Sequence, residues 1–167
     1  MRRARTVQLT SAFVALVITA GCVGGSGDPD PLSKTAYLEQ ADAICREAAD
    51  GVAQIASPSV SDVVAVEAAI GQMVRIQRRA LAELRELPPP EADEPGIDNW
   101  LDAVEETLDQ MDTVRAALLA GDGAAVSEAN LAGAAANDAA EGHAVTYGLQ
   151  ECGGTIAEEL TTTTSAP

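Results

Sequence analysis

Aromatic side chains are nearly missing from this sequence: one Trp, two Tyr and one Phe in 167 residues. Carboxylate pairs that hydrolyse sugars usually come with aromatic platforms, and only Trp100 could provide one. Trp100 lies next to the apolar stripe that includes Leu101, so packing is its expected role. Histidine is scarcer still, with His143 alone. One imidazole cannot build a zinc site or the doubled Glu-x-x-His set of a di-iron bundle, and Glu141-Gly142-His143 has the wrong spacing for the latter. His143 and Tyr147 share a helix face at a spacing of four. The plain reading is a histidine at the core edge with a local hydrogen bond.

Cations are few as well. Ten Lys and Arg face 26 Asp and Glu, for a net charge of −16. Nucleic-acid binding needs a basic footprint, so no such partner is expected. Adsorption of the folded part to an anionic bilayer is disfavoured for the same reason. Phosphate loops, Gly-x-Ser-x-Gly elbows and the Rossmann fingerprint are absent. No Asp-x-Asp-x-Asp-Gly loop organises the acids between Asp98 and Asp112 for Ca²⁺. Cys-His-acid catalysis would need a free thiolate beside His143. No catalytic residue, metal ligand or cofactor is therefore assigned, and a carboxylate-dependent enzyme stays as an alternative.

The N-terminus has a recognisable order. Arg2, Arg3 and Arg5 are followed by an apolar run from Val7 to Ala20, then by small residues. That is the layout of a secretory signal. The run covers about 14 residues, too short at about 1.5 Å per residue to cross a hydrocarbon core of roughly 30 Å. Its end, Ile18-Thr19-Ala20-Gly21-Cys22, resembles a lipobox, in which the cysteine receives a diacylglyceryl group before cleavage. Thr19 departs from the Leu, Val or Ile usual there. The resemblance implies residues 1–21 as a lipoprotein signal peptide and Cys22 as the lipidated first residue. Residues 22–32, rich in Gly, Pro and Asp, read as a flexible tether. Two acyl chains meet the requirement for stable anchoring. Loss of Arg2, Arg3 and Arg5 with the signal takes the net charge from −16 to −19.

Three cysteines are an odd count for an exported chain. Giving Cys22 to the lipid leaves Cys45 and Cys152 as a candidate disulfide in an oxidising compartment. Two free thiols are the alternative.

From residue 33 to 154 the apolar pattern is helical. Tyr37, Ala41, Ile44, Ala48, Val52 and Ile55 form a stripe in a first segment, about 33–56, with Ser33 as N-cap. A second segment, about 59–87, carries Val63, Val66, Ile70, Met73, Gln77, Ala80 or Leu81, and Leu84. Ser59 can cap it, and Pro88-Pro89-Pro90 stops it. Its four arginines lie toward the C-terminal half, where the dipole favours them. A third reads Ile97, Leu101, Val104, Leu108, Met111, Arg115, Leu118, with Asp93 or Glu94 as cap and a solvated acidic surface elsewhere. Asp122 opens an Ala-crowded fourth, about 123–147, whose interior Gly133 and Gly142 are weak points and whose end is Gly148. Residues 155–167, with Thr161 to Thr164, read as a disordered tail. The expected fold is all-α: an antiparallel bundle of about four helices, one disulfide joining helix 1 to the C-terminal end.

The stretches Tyr37-Leu-Glu-Gln-Ala-Asp-Ala-Ile-Cys45 and Tyr147-Gly-Leu-Gln-Glu-Cys-Gly153, with Leu87-Pro88-Pro89 between them, resemble small exported helical proteins common in actinobacteria. That resemblance covers most of the chain after Cys22. It implies fold and location and brings no activity. The expected function is a non-catalytic binding or envelope role on the extracytoplasmic face of the cell membrane, with the lipid anchor as the membrane contact and a protein or small ligand as partner. A small-ligand carrier with a cleft between helices is the alternative.

Overall fold

The computed structural model describes residues 30–153. Residues 1–21, Cys22, the tether up to residue 29, residue 154 and the segment 155–167 lie outside the described residues.

Four helices follow one another: α1 Lys34–Ala53, α2 Val63–Glu86, α3 Glu94–Ala120 and α4 Gly123–Tyr147. Three of the four starts, those of α1, α2 and α4, are set by side-chain caps. Ser33 accepts from the Ala36 N–H at 3.2 Å. Asp122 accepts from both Ala124 and Ala125, at 3.1 and 3.0 Å. Each satisfies first-turn amides that have no partner inside the helix. The second helix departs from expectation. Its cap is Asp62, which accepts from Ala65 at 3.0 Å, and not Ser59. The Ser59 hydroxyl bonds that of Ser61 at 2.9 Å, and residues 59–62 form a turn ahead of the helix. A carboxylate also complements the helix dipole where a hydroxyl does not.

The ends are equally local. α1 stops at Ala53, short of the expected 56, because Gln54 and Ile55 tighten the last turn by bonding back to Gly51 and Val52. α3 ends on Gly121 at φ 69° and α4 on Gly148 at φ 105°, left-handed positions that suit only glycine here. α4 runs unbroken through Gly133 and Gly142. At Gly133 a side chain would sit 3.2 Å from Gln110 Cβ, so glycine permits the close α3–α4 approach.

Successive helices are antiparallel neighbours: α1 packs on α2, α2 on α3, and α3 on α4, the last pair most extensively. α3 is therefore sandwiched and buries two stripes. One is the expected Ile97, Leu101, Leu108 row. The other holds Trp100, Thr107, Val114 and Ala117, which continue the face that meets α4 through Gln110. Among the described residues α1 and α4 do not pack along their lengths. They meet at one end, where Tyr37 and Tyr147 stack edge to face with centroids 6.0 Å apart. The main core lies toward that end: Tyr37, Ala41, Leu81, Leu84, Ile97, Trp100, Leu101, Leu108, Ala140, Ala144 and Leu149. We call it the closed end. The opposite, open end carries the α1–α2 and α3–α4 connections.

Candidate functional site

The two cysteines assigned to each other by counting are bonded: Cys45 on α1 and Cys152 beyond α4, 107 residues apart. The bridge is one part of a larger clasp. Gly148 turns the chain back, Leu149 buries itself in the core, and the amides of Gln150 and Glu151 both donate to Asp42 Oδ1 at 2.9 Å. Arg46, one residue past Cys45, reaches Glu151 at 3.1 Å. Asp42, Cys45 and Arg46 thus present one side of α1 to the final turn. Sequence showed the cysteines, but not that Asp42 serves as the amide acceptor.

At the closed end the tyrosines are held differently. The Tyr147 hydroxyl donates to Asp93 at 2.9 Å, and Lys34 Nζ lies 4.2 Å from the centre of its ring. Asp93 is consequently turned away from its own helix and makes no side-chain cap. Burial and the Asp93 carboxylate both raise the Tyr147 hydroxyl pKa. Tyr37 is fully enclosed, and burial, with Asp98 nearby, pushes its hydroxyl up to about 12. Neither Tyr37 Oη nor Trp100 Nε1 makes a hydrogen bond to another protein group. Trp100, at 3% exposure, packs and offers no ring to a sugar. Leu32 donates to the Pro88 carbonyl at 3.0 Å, so the chain joins the bundle at this same end.

The acids of α3 are not simply a solvated face. Arg78 bonds Asp109 and Asp112 at 2.7 and 2.9 Å, and Arg85 bonds Glu105 and Asp102 at 2.7 and 3.2 Å. Arg115 reaches back to Glu67 at 2.6 Å and to Asp112 at 2.8 Å. Its guanidinium lies on Gly71 of α2, where an added Cβ would meet Nη2 at 2.8 Å. Partial burial pushes the Asp112 carboxyl up, but Arg78 and Arg115 outweigh this and hold it below the usual carboxylate range. Such pairs align α2 with α3. Among the described residues no Asp or Glu is buried, and no three His, Cys, Asp or Glu gather as a metal-ligand set. His143 is exposed on α4 and does not sit at the core edge, and the Tyr147 hydroxyl is taken by Asp93.

One surface groove, about 250 Å³, runs between α1 and α2. Ile44, Ala48, Ile76 and Ala80 line it together with Glu47, Asp50, Arg79 and Glu83. It is open and half charged, unlike the enclosed apolar clefts that hold small ligands. Large apolar side chains also stand in solvent: Val60, Val64 and Leu119 at the open end, and Leu131 and Val145 on α4, the last two 72% and 61% exposed.

No family model, curated protein or solved structure matches this chain.

Proposed function

We propose that the chain is a lipoprotein, cleaved before Cys22 and anchored there to the extracytoplasmic face of the cell membrane, and that its helical domain is a non-catalytic binding module. The observation that supports this best is the fate of the cysteines. Two are consumed by the Cys45–Cys152 bond, and the third is Cys22, which follows Arg2, Arg3, Arg5, a short apolar run and Ala20-Gly21. A disulfide also belongs to an oxidising compartment.

The domain's geometry agrees with tethering. The chain joins the bundle at the closed end, where Leu32 donates to the Pro88 carbonyl, so the tether would attach there. With 24 residues in α2, the open end lies about 36 Å from that attachment point. The binding role rests on surface chemistry. Asp102, Glu105, Asp109 and Asp112 of α3 are tied to arginines of the bundle, and exposed apolar side chains on α4 offer contact area.

Replacing Cys22 by Ala tests the anchor. The variant is expected to take up no labelled palmitate, and any of it cleaved at another site is expected in the soluble fraction after cell lysis. Continued sedimentation of the intact variant with membranes, and equal incorporation of labelled palmitate in both forms, would overturn the assignment.

A further inference from the structure

α4 has two stripes with nearly the same spacing. The inner one, Ala129, Gly133, Ala136, Ala140, Ala144, packs on α3. The outer one is Leu131, Ala135, Asp138, Gly142, Val145, with steps of 4, 3, 4 and 3, and all five residues are exposed. Its two ends, Leu131 and Val145, are larger than any side chain of the inner stripe, and they stand 72% and 61% exposed. A surface helix normally turns a polar face to water. α4 instead keeps an outward seam with the period of helix-on-helix packing, interrupted by one charge at its middle.

The setting of this seam limits what can cover it. The α3–α4 hairpin, residues 94–147, has eleven acids, four of them paired with Arg78 and Arg85 of α2, and one Lys or Arg, Arg115, which is already engaged by Glu67 and Asp112. α4 itself has Glu128, Asp138 and Glu141 and no Lys or Arg. A second copy docked seam to seam would bring its own Asp138 and its own acidic hairpin against these. A cationic partner meets attraction in place of repulsion. A single polar residue in an apolar seam also selects the partner that answers it.

We propose that the outer seam of α4 is the docking site for a helix of another protein, one whose apolar face carries a Lys or Arg opposite Asp138. Leu131 and Val145 fill the partner's apolar positions, and Ala135 and Gly142 let its backbone come close. The inference deepens the reading of the domain as a binding module and is independent of the lipid at Cys22.

The test is photo-crosslinking in the organism that makes the protein, with benzoylphenylalanine in place of Ala135 in the full chain. Adducts and the crosslinked peptides are identified by mass spectrometry. The expected product is an adduct with one identified protein, mapped to an apolar helical segment bearing Lys or Arg. Its yield should fall about tenfold in the L131Q/V145Q double variant and again in Asp138→Lys, as for central anchors of an interface, and stay level in Leu119→Gln. All these positions are exposed, so circular dichroism should be unchanged. An adduct with a second copy of the chain, with lipid, or with a segment lacking cations overturns the proposal. So does no adduct, or one indifferent to the seam substitutions. In Cys22→Ala, a surviving adduct with soluble protein separates docking from anchoring.

Discussion

Cutting the Cys45–Cys152 bond should lower stability through the unfolded chain and leave the native fold in place. The cysteines are 107 residues apart. Loop-closure entropy for that separation is worth about 4–5 kcal/mol at 25 °C. The native joint does not depend on the bond alone. Leu149 stays buried, Asp42 keeps the amides of Gln150 and Glu151, and Arg46 keeps Glu151. Nearly all of the loss should therefore appear as a wider unfolded ensemble. For a domain of this size that corresponds to a fall in Tm of roughly 10–20 °C. Circular-dichroism melts of oxidised protein, reduced protein and the C45S/C152S variant measure it, with thiol titration confirming each state. Far-UV spectra should superimpose at low temperature. Asp42→Asn removes the charge from a double acceptor in the native state, at a cost of about 1 kcal/mol, and should act similarly with or without the bond. A Tm drop of less than about 3 °C on full reduction would refute the entropic account. Loss of hydrogen-exchange protection at the Gln150 and Glu151 amides in the reduced protein would refute the claim that the remaining contacts hold the turn.

The arginines should divide by burial. Arg115→Met strands Glu67, whose side chain is 16% exposed, and is expected to cost about 1–2 kcal/mol in urea unfolding. Arg85→Met, among exposed partners, should cost about 0.5 kcal/mol or less, and equal losses would contradict the distinction. Tyr37 should govern part of the alkaline limb. Its folded pKa lies near 12, against 10 ordinarily, so above pH 10 the unfolded chain loses this proton first and stability falls until about 12. Tyr37→Phe should remove about 2 kcal/mol of the loss between pH 8 and about 11.5, and identical urea midpoint shifts in both proteins would show otherwise. On the acid side, Asp112 sits below its usual range, so its contribution is present near neutrality and disappears as pH falls through its folded pKa. Asp112→Asn should flatten the acid limb of the stability profile.

Sequence periodicity was enough to place all four helices, because Pro58, Pro88-Pro89-Pro90 and Gly121 break the chain where the apolar stripes end. The Cys45–Cys152 pairing followed from counting cysteines once Cys22 was set aside. Three features were not legible. Asp62 outcompeted Ser59 as cap because the two serines bonded each other, a local choice that residue type alone does not reveal. The second stripe of α3, through Trp100 and Val114, is buried only because α3 lies between two neighbours, which depends on packing order. Asp93 reads as a helix cap and Asp42 as an ordinary surface acid in the sequence, yet they serve Tyr147 and the final turn across 54 and 108 residues or more of chain. Long-range partners of that kind leave no periodic trace. The outer seam of α4 was visible only as an excess of alanine until burial separated its two faces.

The central claim is a lipid on Cys22 of a disulfide-closed helical domain. Intact mass of the membrane-extracted protein from its own host, with and without thiol alkylation, tests both parts at once. The account predicts a chain beginning at Cys22 with the added mass of a diacylglyceryl group, extended by a further acyl chain if the new N-terminus is modified, and no alkylated thiol. An unlipidated chain beginning at another residue, or alkylation at Cys45 and Cys152, would contradict it.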